Sequence, residues 1–458
     1  MKRIPSSLFF AAVLLAYACG SSTPSSDPEP SENDPSENEP GESEPEDPFY
    51  VLCGTLPTPD GGSTYAAIEP EISSDIDIDV AQTLEIPGFG ACLPGAGGTG
   101  TIFTASGAGP IFSKWNVRAD GSFEEAGRVS FANLGVQSTR TAISGTHFIS
   151  ETKAYFLDSD SQQLIVWNPD ALEIVGTISL APLLSLGPEG SLPEFATAIG
   201  VDDQVLILGG FADLTTTYAT EGIAVGFIDP TTDTFSSTSY DPSCGNVGSP
   251  QVYPDGTIYL ASNARMADAY YLGEENAFAP CLARILPGET EVDTSFTRPL
   301  EALTGTALTA NLLRGPGLSG FVAAYDETII PIDPMNVLRQ IPSWRLYSVD
   351  DITAGEGATV TVVDGLAPSS PLFRTGFSTD GRTLVPVFSD DFGETLVFDI
   401  TDGSAEDPLF FTPGVLRAII EVAPEPQPST APDVTPSLLG PGLGSNPWPS
   451  GSNPGGAS

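Results

Sequence analysis

The chain of 458 residues contains one histidine and only 16 lysines and arginines, against 60 aspartates and glutamates, for a net charge of −44. That imbalance excludes nucleic acid as a partner, because a phosphate backbone is held by cations that neutralise it. Ser-His-Asp or Cys-His chemistry would have to use His147, which lies in a predicted strand, Thr146-His147-Phe148-Ile149. A packed or hydrogen-bonded histidine is the plainer reading there. The five cysteines form no CxxC pair, so a zinc site has no support. No glycine-rich loop follows a strand and opens a helix, so no nucleotide cofactor is expected. The N-terminal apolar run, Leu8 to Ala18, would reach about 16 Å as a helix, well short of the ~30 Å core of a bilayer.

That run follows Lys2 and Arg3 and ends in small residues, which marks residues 1–18 as a secretory signal peptide. The stretch Ala16-Tyr17-Ala18-Cys19-Gly20-Ser21 resembles a bacterial lipobox, which implies that Cys19 is diacylated and becomes the first residue. The alternative is an ordinary signal cut after Ala18. Residues 19–48 then form an acidic tether. From Ser21 to Pro48 there is no aromatic residue and no cation, and ten residues are acidic, so the segment is expected to stay disordered and extended. Residues 423–458 are rich in Pro, Ser and Gly and are expected to form a second disordered tail.

The body between them, residues 49–422, exceeds what one core usually supports unless the fold repeats. A turn with Asp or Glu before a short apolar strand recurs at Asp60, Glu151, Asp203, Asp255, Asp326 and Asp380, in steps of 91, 52, 52, 71 and 54 residues. The first step holds two units, with the missing turn near Gly107. Four period-2 strands per unit at a spacing near 50 describe a propeller blade, and no long stretch has helical spacing. Units counted from 49, 92, 139, 193, 244, 302 and 370 give an all-β, seven-bladed β-propeller with disordered N- and C-terminal tails. A closed ring covers the edges and apolar face of each sheet without capping repeats. The rival architecture is an irregular pair of β-sandwiches.

With Cys19 spent on lipid, Cys53, Cys92, Cys244 and Cys281 are an even set, as an oxidising compartment favours. Three pairings are open. Cys53 with Cys92, which begin neighbouring blades, and Cys244 with Cys281, which share the fifth, are preferred. Asp75-Ile-Asp77-Ile-Asp79 reads as the polar face of an amphipathic strand and needs no metal.

Phe49-Tyr-Val-Leu with Pro59-Asp-Gly-Gly-Ser-Thr-Tyr65, Gly109-Pro-Ile-Phe-Ser-Lys114-Trp-Asn, Ser130-Phe131-Ala, Thr152-Lys153-Ala-Tyr155 and Ile165-Val-Trp167-Asn-Pro169 resemble the lipoproteins encoded with the myxobacterial siderophore myxochelin. Those are akin to surface propeller lipoproteins of Bacteroidetes. The resemblance implies capture or hand-over of a ferric catecholate siderophore for iron uptake, with no catalysis and no cofactor beyond the iron of that ligand. It also implies an outer-membrane location, on the periplasmic or cell-surface side, and an outer-membrane TonB-dependent receptor as onward partner.

An anionic, aromatic ligand on so acidic a protein requires the few cations to gather where it sits. In a propeller, the linkers between blades and the loops joining second and third strands share one face. Arg140, Arg314 and Arg374 are expected there in linkers or strand starts, and Arg265 in the long loop of the fifth blade. Phe211, Tyr218, Tyr270, Tyr271 and Phe392 fall in the same loops. Guanidinium groups bind oxyanions and stack on rings; pairing with nearby carboxylates is the competing role. A propeller lactonase or glycosidase around a central Ca²⁺, or a protein-interaction scaffold at the outer membrane, remains as the alternative function.

Overall fold

The computed structural model describes residues 48–423, apart from the short stretches 59–61, 97–99, 119, 215–217, 249, 275–276, 333–337, 372–375, 380 and 390. The expected signal peptide, lipidation at Cys19, acidic tether and C-terminal tail lie outside the described residues.

Every sheet has four antiparallel strands, and there are seven sheets. Blade 1 contains β1 (Phe49–Leu56), β2 (Ser63–Glu69) and β3 (Leu84–Pro87). Blade 2 is β4 (Ala91–Pro94), β5 (Thr101–Ala105), β6 (Ile111–Val117) and β7 (Phe123–Ser130). Blade 3 is β8 (Thr146–Ser150), β9 (Lys153–Asp158), β10 (Gln163–Asn168) and β11 (Glu173–Ser179). Blade 4 is β12 (Ser191–Val201), β13 (Gln204–Asp213), β14 (Ala219–Asp229) and β15 (Thr234–Asp241). Blade 5 is β16 (Gln251–Val252), β17 (Ile258–Ala261), β18 (Cys281–Ile285) and β19 (Arg298–Pro299). Blade 6 is β20 (Thr309–Arg314), β21 (Gly320–Tyr325), β22 (Trp344–Val349) and β23 (Val360–Val362). Blade 7 is β24 (Phe377–Thr379), β25 (Arg382–Phe388), β26 (Glu394–Asp399) and β27 (Phe410–Pro413). The last strand, β28 (Val415–Val422), pairs with β1 and completes blade 1.

First strands of neighbouring sheets meet: β28 touches β4 and β24, β8 touches β12, and β16 touches β20. They therefore line the axis. The core is not one mass: each of the seven junctions between blades holds its own cluster. Strands buried on both faces explain why short runs such as Val205-Leu-Ile-Leu208 are wholly apolar and wholly buried. Between blades 2 and 3 the filling is aromatic: Phe112 lies 5.3 Å from both Phe156 and Trp167. Phe112→Ala is expected to cost about 3–5 kcal/mol through the void it leaves, read as a lower denaturant midpoint at unchanged m-value.

The seven-bladed expectation holds, with one correction at the seam. Counting from Phe49 makes β1 a first strand, whereas it is the second, and the chain's other end supplies the first. Gly414 turns the chain from β27 into β28 at φ +69°, and a Cβ there would collide with the carbonyl oxygen of Thr55. Thr395 Oγ1 donates to Gly414 O at 2.5 Å, and Tyr65 Oη donates to Pro413 O at 2.7 Å. Burial pushes that phenol up to about 12.

The turn markers explain their own uneven steps. Glu151, Asp203 and Asp255 all sit between first and second strands and are evenly spaced, while Asp326 follows the second strand β21. Asp60 and Asp380 lie outside the described residues. The Asp75–Asp79 stretch alternates as expected, with Ile76 and Ile78 buried, but it is an extended connection and not a strand. Among the described residues, short helices α1 (Ala142–Gly145), α2 (Ala181–Leu184), α3 (Ala264–Tyr271) and α4 (Glu301–Thr304) occupy connections. None is long and apolar enough to cross a membrane.

Both preferred disulfides are formed, Cys53–Cys92 with Cα atoms 6.0 Å apart and Cys244–Cys281 at 5.7 Å. The first ties β1 of blade 1 to β4 of blade 2. The second ties the connection after blade 4 to β18 of blade 5.

Candidate functional site

The linkers between blades and the loops joining second and third strands form one face, here the linker face; the remaining turns form the turn face. Of the residues expected on the linker face, Arg140, Arg265, Tyr218, Tyr270, Tyr271 and Phe392 are there. Arg140 is exposed in the connection from β7 to β8. It lies two residues ahead of α1, which packs against the axial strands β4 and β12. Phe392 lies in the β25–β26 loop at φ +57°, its ring 6.4 Å from that of Phe388.

Helix α3 fills the long loop of blade 5. Asn263 caps it, its side-chain oxygen accepting from the Arg265 amide at 2.9 Å, the interaction that favours Asn at such a position. The apolar side of the helix, Ala264 and Ala267, packs on the cluster holding the buried Trp344. Tyr218 lies against Met266 and Ala269. Tyr270 and Tyr271 at its end are each 40 % exposed.

Three expectations need correction. Phe211 is fully buried, its ring 5.9 Å from that of Tyr240 in the core between blades 3 and 4, because it belongs to β13 and not to the loop after it. Arg314 ends the axial strand β20 and so lies on the turn face. There its Nη1 donates to Val252 O at 2.8 Å and its guanidinium stands 6.0 Å from the Tyr253 ring centre. Arg265 is on the expected face but ion-paired, with Nη1 2.6 Å from Glu194 Oε2. The same carboxylate oxygen accepts from Asn246 Nδ2 at 3.2 Å. Arg374 lies outside the described residues.

Two arginines outside the sequence reading bear on the site. Arg339, in the β21–β22 loop, ion-pairs with Asp268 of α3, which is 2 % exposed, and so clamps the helix onto blade 6. Desolvation still holds the Asp268 carboxyl above its ordinary value, outweighing Arg339. Arg417 lies on the axial strand β28, at the bulge where the ladder shifts between Cys53 and Gly54. Burial lowers its pKa. A lone cation in Val415-Leu-Arg-Ala-Ile-Ile420 was the signal, but its axial place depends on β28 crossing the seam. Among the described residues, Arg140 and Arg417 are the arginines with no hydrogen bond, ion pair or ring contact.

His147 is on the axial strand β8. Its Nδ1 accepts from the Gly200 amide of β12 at 3.2 Å, which links neighbouring axial strands. Desolvation lowers its pKa, so at neutral pH the ring is uncharged and its proton is on Nε2. Among the described residues, no group of three or more His, Cys, Asp or Glu is placed to hold a metal.

No protein-family model and no curated protein matches the chain. Solved propellers do. A candidate 6-phosphogluconolactonase from Bacteroides uniformis aligns over 82 % of this chain and 100 % of its own at TM-score 0.51 and 11 % identity. A hypothetical selenium-binding protein from Sulfolobus tokodaii aligns over 84 % of this chain and 96 % of its own at 0.50 and 10 %. A candidate 6-phosphogluconolactonase from Bacteroides fragilis covers 83 % and 99 % at 0.47 and 11 %. The two likenesses at TM-score 0.50 and above show the fold. They also correct the expectation of a chain without catalysis: candidate enzymes are built on the same ring, so the propeller does not separate a binder from an enzyme.

Proposed function

We propose that this chain is a lipid-anchored, extracytoplasmic propeller that captures a compact, oxygen-rich anion at the linker-face mouth of its axis, with a ferric catecholate siderophore as the ligand. The observation that carries this reading is the pair of unspent guanidiniums, Arg140 beside α1 and Arg417 on β28. In a chain with 60 carboxylates, an arginine without a partner is not short of acids; it has been placed away from them. Arg417, desolvated by burial, binds an oxyanion more strongly than a guanidinium already neutralised, and Arg140 adds an exposed donor. The exposed Tyr270 and Tyr271 offer ring faces on the same side. The disulfides support an oxidising compartment; anchoring through Cys19, the outer membrane and a receptor partner belong to the same proposal.

Trp344 lies beneath α3 and reports on this face. Titration of the full chain with a ferric catecholate is expected to quench tryptophan fluorescence saturably. The Arg140→Gln, Arg417→Gln double variant should weaken binding about tenfold or more, the worth of about 1.4 kcal/mol. Quenching that never saturates, or equal affinity in the double variant, overturns the reading. Incubation with 6-phosphogluconolactone in parallel tests the activity named for the Bacteroides neighbours; turnover lost in Arg417→Gln would replace the iron ligand by a phosphorylated lactone.

A further inference from the structure

On the turn face, between blades 2 and 3, lies a cleft of about 290 Å³. Blade 2 contributes Thr101 and Phe103 from β5 and Lys114 and Asn116 from β6; blade 3 contributes Glu151 from its β8–β9 turn and Asp170 from its β10–β11 turn. Phe103, 2 % exposed and held T-shaped to Trp167 at 5.4 Å, is the aromatic residue of the lining. Lys114 Nζ lies 3.1 Å from Asp170 Oδ1, with the lysine side chain largely buried and the aspartate mostly open. Glu151 has no hydrogen bond or ion pair among the described residues.

The volume is at the lower edge of the roughly 300–1,000 Å³ of small-molecule sites, room for one ring and not for a chain. Its polar groups are mixed: an ammonium that only donates, carboxylates that only accept, and an amide and a hydroxyl that do both. A small anion would meet Glu151 and Asp170. A small cation would have to displace Lys114 from Asp170. A neutral ring whose hydroxyls each donate and accept satisfies all of them at once. We propose that this cleft binds a single sugar unit, with Glu151 and Asp170 accepting from its hydroxyls, Lys114 donating to one, and Phe103 beneath the ring. The site is on the opposite face from the anion site and does not depend on it.

The test is saturation-transfer NMR and calorimetry on the full chain with glucose, galactose, mannose and N-acetylglucosamine, and with putrescine as a cationic probe. At least one sugar is expected to bind saturably in the millimolar range. Binding should fall about tenfold or more in Glu151→Gln and in Lys114→Met, with an unchanged melting temperature in Glu151→Gln, which has no partner to lose, and a nearly unchanged one in Lys114→Met, which loses one ion pair to a largely exposed aspartate but keeps the lysine stem. Arg417→Gln should bind sugar as the parent does, which separates this site from the axial one. The inference is overturned if no sugar saturates up to about 100 mM, if binding survives both cleft variants, or if putrescine binds and the sugars do not.

Discussion

A chain ending at Gly414 is expected to lose its cooperative thermal transition and to elute as an expanded or aggregated species. The truncation removes β28, Val415–Val422, together with the tail that follows it. Without them blade 1 has three strands and exposes the edge of β1, and two of the seven junctions lose their axial contribution. Leu416 is buried in the cluster shared by blades 7 and 1, and Ile420 and Val422 in the cluster shared by blades 1 and 2. An open row of amide and carbonyl groups beside exposed apolar surface is a template for aggregation. A milder variant keeps the test quantitative: Leu416→Ala should cost about 2–5 kcal/mol, measured by denaturant unfolding at unchanged m. A truncated chain that melts as sharply as the parent would mean that the seam does not hold the ring.

The second large effect concerns the disulfides. Cys53 and Cys92 are 39 residues apart and Cys244 and Cys281 are 37 apart, so in the chain-entropy account each bond contributes about 4 kcal/mol by restricting the unfolded chain. Replacing either pair by alanines should lower the melting temperature by several degrees. The Cys53–Cys92 pair should have the larger effect, because it joins strands of two blades and lies beside the seam: Cys53 pairs with Ala418 of β28. Calorimetry of the two double variants, with and without reductant, checks both statements. Equal losses would mean that loop closure alone accounts for the stabilisation, with no added role for the seam.

Much of this architecture was legible in residues. Hairpin signals such as Pro254-Asp-Gly256 before Ile258 mark turns because glycine accepts the left-handed conformation; Gly256 has φ +84°. The even 52-residue steps from Glu151 to Asp255 mark equivalent turns in successive blades. Cysteine pairing followed from which strands could be neighbours. The faces of individual side chains were less legible. Phe211 and Tyr218 are seven residues apart and flank one loop, yet one is core and the other half-buried on the linker face, because β13 continues through Phe211, opposite Thr220 of β14. Arg314 was placed before a strand that in fact begins five residues earlier, and that shift moved it to the opposite face.

The sequence by itself determined the period, the strand content, the even cysteine set, the acidity and the rarity of cations, all of which depend on residues near one another or on simple counts. Tertiary structure alone decided that β28 belongs with β1, that Glu194 takes Arg265 and Asp268 takes Arg339, and that Arg140 and Arg417 are left without acids. The reason is physical: a guanidinium's partner is set by which loops the ring brings within about 3 Å, and closure joins positions more than 350 residues apart, a distance over which local patterns carry no information.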